Sequence, residues 1–213
     1  MIPVGDNDQG LFTPVTTAII VLNVIMWIME LRGGESFLMK WVFIPSRFRA
    51  DPIGQFKTII SSMFMHASVI HLAGNMIFLW VFGNNIEAAF GSVQFALFYL
   101  ACGIIATFAQ MAVSPGSGVP NLGASGAIAG VLGSYLVMFP SQQVKVLVGS
   151  RVVQVSAYVM LVGWIILQLV GEFASITDAA SGGVAYMAHI GGFLAGVILT
   201  MILSGRRLAL PAG

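Results

Sequence analysis

Residues 88–144 read AAFGSVQFALFYLACGIIATFAQMAVSPGSGVPNLGASGAIAGVLGSYLVMFPSQQV, 57 consecutive residues without Asp, Glu, Lys or Arg. A helix needs about 20 mostly apolar residues to cross the hydrocarbon core of a bilayer, so this stretch holds two crossings. Between them stands Ser114-Pro115-Gly116-Ser117-Gly118-Val119-Pro120, a cluster of turn formers and helix breakers that suits a short connection outside the bilayer.

Outward from this stretch, four further charge-free intervals cover 9–29, 58–86, 152–171 and 179–205. They are 21, 29, 20 and 27 residues long, enough for one crossing each. Six spans follow, near 14–31, 65–88, 92–113, 122–139, 153–170 and 183–204. The fold class is therefore all-α: a polytopic, six-transmembrane-helix bundle forming a single domain over 1–213, with no separate soluble domain. Composition agrees, since charged residues make up 8% of the chain where a soluble domain carries about 25%. A hydrophobic content of 58% and a mean hydropathy of +0.94 leave too little polar surface to coat a water-soluble globule. A net charge of +1 offers nothing to attract nucleic acid or an acidic partner. The lipid bilayer is the expected environment.

The longest connection, Arg32 to Lys57, holds five of the nine basic residues together with Trp41, Phe43 and Phe48, a mixture that suits the membrane surface. The first apolar stretch does not read as a cleaved signal peptide, because Asp6 and Asp8 stand where a basic flank is expected. Cys102 is the single cysteine and reads as a packing residue. With the N-terminus cytoplasmic, Lys145, Arg151, Arg206 and Arg207 fall inside. Against this, the first connection then carries Arg32, Lys40, Arg47, Arg49 and Lys57 outside.

Polar side chains within spans are costly unless they find partners or line a wet cavity. Here they are few. His66 and His71 open the second span, Asn75 follows His71 by one helical turn, Ser125 opens the fourth within Gly123-Ala124-Ser125-Gly126-Ala127, and His189 lies near the start of the sixth. In an antiparallel succession the second, fourth and sixth spans start from the same side, so His71, Asn75, Ser125 and His189 share one layer. Their chemistry is complementary. Histidine is the usual base that activates a serine hydroxyl, and His71, Asn75 and the Ser125 backbone N–H can donate to an oxyanion. All eight acids fall at span ends or in connections, none beside His189, so a Ser125–His189 dyad is the simpler reading. Gly126 with Gly130, and Gly192 with Gly196, show the four-residue spacing that lets membrane helices pack backbone to backbone.

Met65-His66-Ala67-Ser68-Val69-Ile70-His71-Leu72-Ala73-Gly74-Asn75-Met76, Gly123-Ala124-Ser125-Gly126 and Ala188-His189-Ile190-Gly191-Gly192-Phe193-Leu194-Ala195-Gly196 together resemble the rhomboid intramembrane serine proteases, in the family's order, from His66 to Gly196. The resemblance implies Ser125 as nucleophile, His189 as general base, and His71 and Asn75 as oxyanion partners. It also implies a first connection lying partly in the membrane, and substrates entering near the second and fifth spans. Two departures are visible: Lys57-Thr58 stands where a Trp-Arg pair is well known, and Ala129 where some members place a tyrosine against the catalytic histidine.

Blander readings stand beside these. Ser125 could be a small residue in a glycine-rich interface, His189 an interhelix hydrogen-bonding group, and His71 with Asn75 a buried polar contact. His66 reads as structural or water-organising, and Glu87 as a tie between helices. Trp164 and Gln168 read as a lipid-facing tryptophan and an interhelix amide, with the substrate entrance as the alternative. The leading reading is a serine endopeptidase opening to the side opposite the N-terminus and acting on single-pass transmembrane proteins, with no cofactor and no metal. The alternatives are a non-catalytic binder or chaperone of transmembrane helices and, ranked last, a small transporter. The oligomeric state is unknown from sequence.

Overall fold

The computed structural model describes residues 2–5, 13–177 and 185–209. The chain runs β1 (Ile2–Gly5), α1 (Pro14–Trp41), α2 (Pro45–Ala50), α3 (Pro52–Ser61), a single 3-10 turn (Ser62–Phe64), α4 (Val69–Phe90), α5 (Ser92–Val113), α6 (Ser125–Met138), β2 (Gln143–Val148), β3 (Arg151–Ser156), α7 (Ala157–Thr177) and α8 (Tyr186–Ala209). Helices α1, α4, α5 and the Tyr186–Ser204 part of α8 are long and apolar enough to cross a membrane, while α6 and α7 are shorter apolar helices. The six apolar helices of the sequence reading are all present. Asp6, Asp8, Asp178 and Gly183 lie outside the described residues.

Several boundaries differ from expectation, each for a local reason. The second span begins at Val69 instead of 65, because Ser68 is its N-cap and accepts a hydrogen bond from the His71 N–H at 3.1 Å. This leaves His66 in the irregular segment before the helix. The fourth begins at Ser125, since Gly123 has φ +116°, a backbone conformation outside any helix. The segment 32–57 is largely helical: α1 continues through a break at Gly34 (φ 62°) to Trp41, and α2 and α3 each start on a proline at a position where no N–H is needed. The fifth span begins at Ala157, because residues 151–156 form a strand.

That strand belongs to a small antiparallel sheet of order β1-β2-β3. Strands β2 and β3 form a two-residue hairpin in which Val148 faces Arg151, with Gly149 at φ 62° in the first turn position, as a type II′ connection requires. Ile2 pairs with Leu147 and Pro3 with Val146, so the chain's start is stitched onto the segment that follows α6.

Helix α6 is the centre of the bundle: every residue from Gly126 to Tyr135 is buried. A Cβ on Gly192 would strike the Gly126 carbonyl, one on Gly196 the Gly130 carbonyl, and one on Gly133 the Phe193 carbonyl. The glycine spacing thus does what it predicts, bringing the α6 and α8 backbones into contact. Farther along, the Thr200 hydroxyl lies 2.8 Å from Ser134 Oγ and 2.7 Å from the Gly196 carbonyl. Glu87 ties helices as expected: its carboxylate accepts from the Val15 N–H (2.9 Å), the Thr16 N–H (2.7 Å) and the Ser92 hydroxyl (2.7 Å), joining the end of α4 to the starts of α1 and α5. Val21, Leu22, Ile25 and Ile28 of α1 and Ile166, Leu167, Leu169 and Val170 of α7 point outward. That pattern is stable against lipid tails and not against water.

Candidate active site

Two helix starts place the central pair. Gly123 donates its N–H to the Ser62 carbonyl at 2.9 Å and turns the chain so that Ser125 is the first residue of α6. Its backbone N–H therefore has no carbonyl to bond within the helix. His189 is the fourth residue of α8, whose start is held by Gln110 Oε1 accepting from the Ala188 N–H at 3.2 Å. With the two backbones in contact, His189 Nε2 lies 2.8 Å from Ser125 Oγ. The opposite ring nitrogen, Nδ1, lies 2.7 Å from Gln168 Oε1 on α7. Trp164, one turn before Gln168, sets its ring 5.8 Å from the imidazole at 42° and also packs on Phe193.

His71 and Asn75 converge on the same place from α4. A Cβ built on Gly123 would lie 3.0 Å from His71 Nε2 and 3.7 Å from Asn75 Nδ2. The Asn75 amide nitrogen also pairs with His66 Nε2 at 3.0 Å, and the His66 and His71 rings meet edge to face with centroids 5.1 Å apart. His66 is thus a structural partner of Asn75. It is steadied in turn by Glu30, whose carboxylate accepts from the His66 N–H at 3.1 and 3.3 Å. A cavity of about 760 Å³ is lined by Ser125, His189, His71, Asn75 and Trp164, with further walls from the 114–122 connection. Four polar side chains separated by up to 118 residues share one chamber. Among the described residues, no three His, Cys, Asp or Glu side chains gather so as to hold a metal ion.

One expectation is corrected here. Trp164 is half-buried and turned to His189, not to lipid. Gln168 is the interhelix amide expected of it, and its partner on α8 is the histidine itself, a pairing the sequence reading did not name although one signal was visible: it is the single amide side chain in α7. Glu30, placed by sequence at a span end, is a buried carboxylate. It reaches the backbone of His66 and leaves His189 without an acidic neighbour from that helix.

The family model described as the rhomboid domain matches residues 53–206. The chain belongs to the rhomboid family. This rhomboid is 30% identical over 205 residues to the rhomboid protease GluP of Bacillus subtilis, an alignment covering 95% of this chain and 37% of that protein. It is 31% identical over 188 residues to the mitochondrial presenilin-associated rhomboid-like protein A of Danio rerio, covering 85% and 45%. With the mitochondrial rhomboid protein 1 of Saccharomyces cerevisiae it shares 30% over 176 residues, covering 79% and 46%. The chain thus spans less than half the length of each of these three relatives. The two departures from the family pattern have visible substitutes in this rhomboid. Ala129 is fully buried in the core, and the aromatic contact to His189 comes from Trp164 on α7. In the first connection, the Lys57 ammonium lies 5.2 Å from the centre of the Trp41 ring.

Proposed function

We propose that this rhomboid is an intramembrane serine endopeptidase, with Ser125 as nucleophile, His189 as general base, and His71 and Asn75 as oxyanion donors. The observation that carries the reading is the 2.8 Å contact between His189 Nε2 and Ser125 Oγ at the wall of an open, partly polar cavity. In the acylation step Ser125 Oγ bonds to the scissile carbonyl carbon while its proton passes to His189 Nε2. The carbonyl oxygen becomes an anion facing the Asn75 amide, the His71 ring and the Ser125 N–H. Collapse breaks the C–N bond as His189 returns the proton to the departing nitrogen. Water, activated by the same imidazole, then hydrolyses the ester. The reaction needs no metal or organic cofactor.

The substrates in this reading are single-pass membrane proteins whose helices unwind locally, because a helical backbone keeps its carbonyls engaged in hydrogen bonds. The N-terminus faces the cytoplasm and the cavity opens to the opposite side. The test is cleavage of a generic transmembrane substrate in proteoliposomes, together with labelling by a serine-directed fluorophosphonate. Ser125→Ala and His189→Ala are expected to lose cleavage by roughly 10³-fold or more, and Ser125→Ala to lose labelling altogether. Cleavage that survives in Ser125→Ala overturns the assignment. Binding of the substrate without cleavage by any of the three proteins would make the chain a non-catalytic holder of transmembrane helices.

A further inference from the structure

We infer that Gln168 is a positioning residue for the Ser125–His189 pair, holding the imidazole in the one tautomer and ring orientation that can accept the serine proton. The inference rests on the serine-protease reading above and adds a third member to what the sequence shows as a dyad.

A neutral imidazole carries its proton on either nitrogen, and only the form protonated at Nδ1 presents a lone pair from Nε2 to the Ser125 hydroxyl. Selecting that form requires an acceptor at Nδ1. Gln168 Oε1 stands there at 2.7 Å, while the Gln168 amide nitrogen reaches the Trp164 carbonyl at 3.5 Å within its own helix. The donor end of the amide is thereby turned to the backbone and the acceptor end to the histidine. Trp164 packs on the imidazole from the same face of α7, so ring position and tautomer are set by two residues one turn apart.

Among the described residues the two buried carboxylates are engaged elsewhere, and Glu172 stands one turn past Gln168 on α7 itself. Glu30 bonds the His66 N–H, and Glu87 bonds Val15, Thr16 and Ser92. From α4, the titratable side chain of His71 lines the same cavity as His189. A neutral amide also suits the surroundings, since α7 exposes Ile166, Leu167, Leu169 and Val170 on its outer side and a carboxylate there carries a large desolvation cost.

The experiment uses the full chain in proteoliposomes with a transmembrane substrate and the fluorophosphonate, comparing wild type, Gln168→Leu, Gln168→Glu and Ser125→Ala over pH 5 to 9. Gln168→Leu is expected to lower kcat and the labelling rate about 100-fold, the low end of what general-base catalysis contributes, with KM unchanged. Gln168→Glu restores an acceptor, so it recovers activity at alkaline pH. The acid limb of its profile moves to higher pH, because a carboxylate at Nδ1 favours the imidazolium, which cannot act as a base. Equal kcat in wild type and Gln168→Leu overturns the inference. A loss confined to KM, a loss accompanied by a fall in Tm, or an unshifted acid limb in Gln168→Glu also does. Cleavage and labelling that persist in Ser125→Ala would instead bring down the protease reading itself, and the positioning role with it.

Discussion

Gly123 sits two residues before Ser125 at φ +116°, and a Cβ there would meet the His71 ring at 2.8 Å from Cε1. Gly123→Ala therefore strains the backbone and displaces His71 together. It is expected to lower kcat in the proteoliposome assay more than it lowers Tm. His71→Ala and Asn75→Ala test the oxyanion assignment directly. Each is expected to reduce kcat by about 10²–10³-fold with little change in KM, the usual cost of losing one such donor. Unchanged kcat in both would return them to a buried polar contact. These side chains stand out in the sequence because polar groups are rare within the spans. Their partners do not stand out: the pairing of Asn75 with His66, of His66 with Glu30 and of His189 with Gln168 joins different elements, and nothing in the local sequence selects one amide or carboxylate over another.

The seam between α6 and α8 delivers His189 to Ser125, and it depends on the absence of side chains. Gly196→Val would press two methyl groups toward the Gly130 carbonyl. We expect destabilisation of about 1–3 kcal/mol, the cost of overpacking a tight interface, read as a lower Tm with a parallel loss of fluorophosphonate labelling. Gly163→Ala on α7 is the contrasting case: its Cβ meets nothing within 4 Å, so stability should hold or rise by up to about 1 kcal/mol through helix propensity. Equal Tm changes in the two variants would sink the seam argument. Element identity was legible from the charge-free intervals, because bilayer thickness imposes a minimum apolar length. Element ends were not always so. The strand at Arg151–Ser156 disappears into an apolar run when only hydropathy is followed, and it forms through pairing with Gln143–Val148. The Gly149-Ser150 pair was the available hint.

The bundle separates its two ends. Ser125 opens α6, and the sheet follows the far end of that helix, about 20 Å away for 14 residues. In a Cys102→Ser background, Val119→Cys beside the cavity and Lys145→Cys on the sheet are both exposed positions. An impermeant maleimide should label them from opposite sides of sealed vesicles. Labelling of Lys145→Cys from the cytoplasmic side would agree with a cytoplasmic N-terminus, and the reverse result would invert the proposed orientation. Six apolar spans, their alternation and the shared starting side of His71, Asn75, Ser125 and His189 follow from residue order, since the bilayer permits few other arrangements of so few charges. Which side chains come within bonding distance depended on the packed helices. The 2.8 Å contact at Ser125 and the 2.7 Å contact at Gln168 exist because glycine lets α6 and α8 touch and because α7 docks one turn of its face on His189. Hydrogen bonds fail within an ångström of misplacement, a precision that hydrophobic pattern does not carry and close packing does.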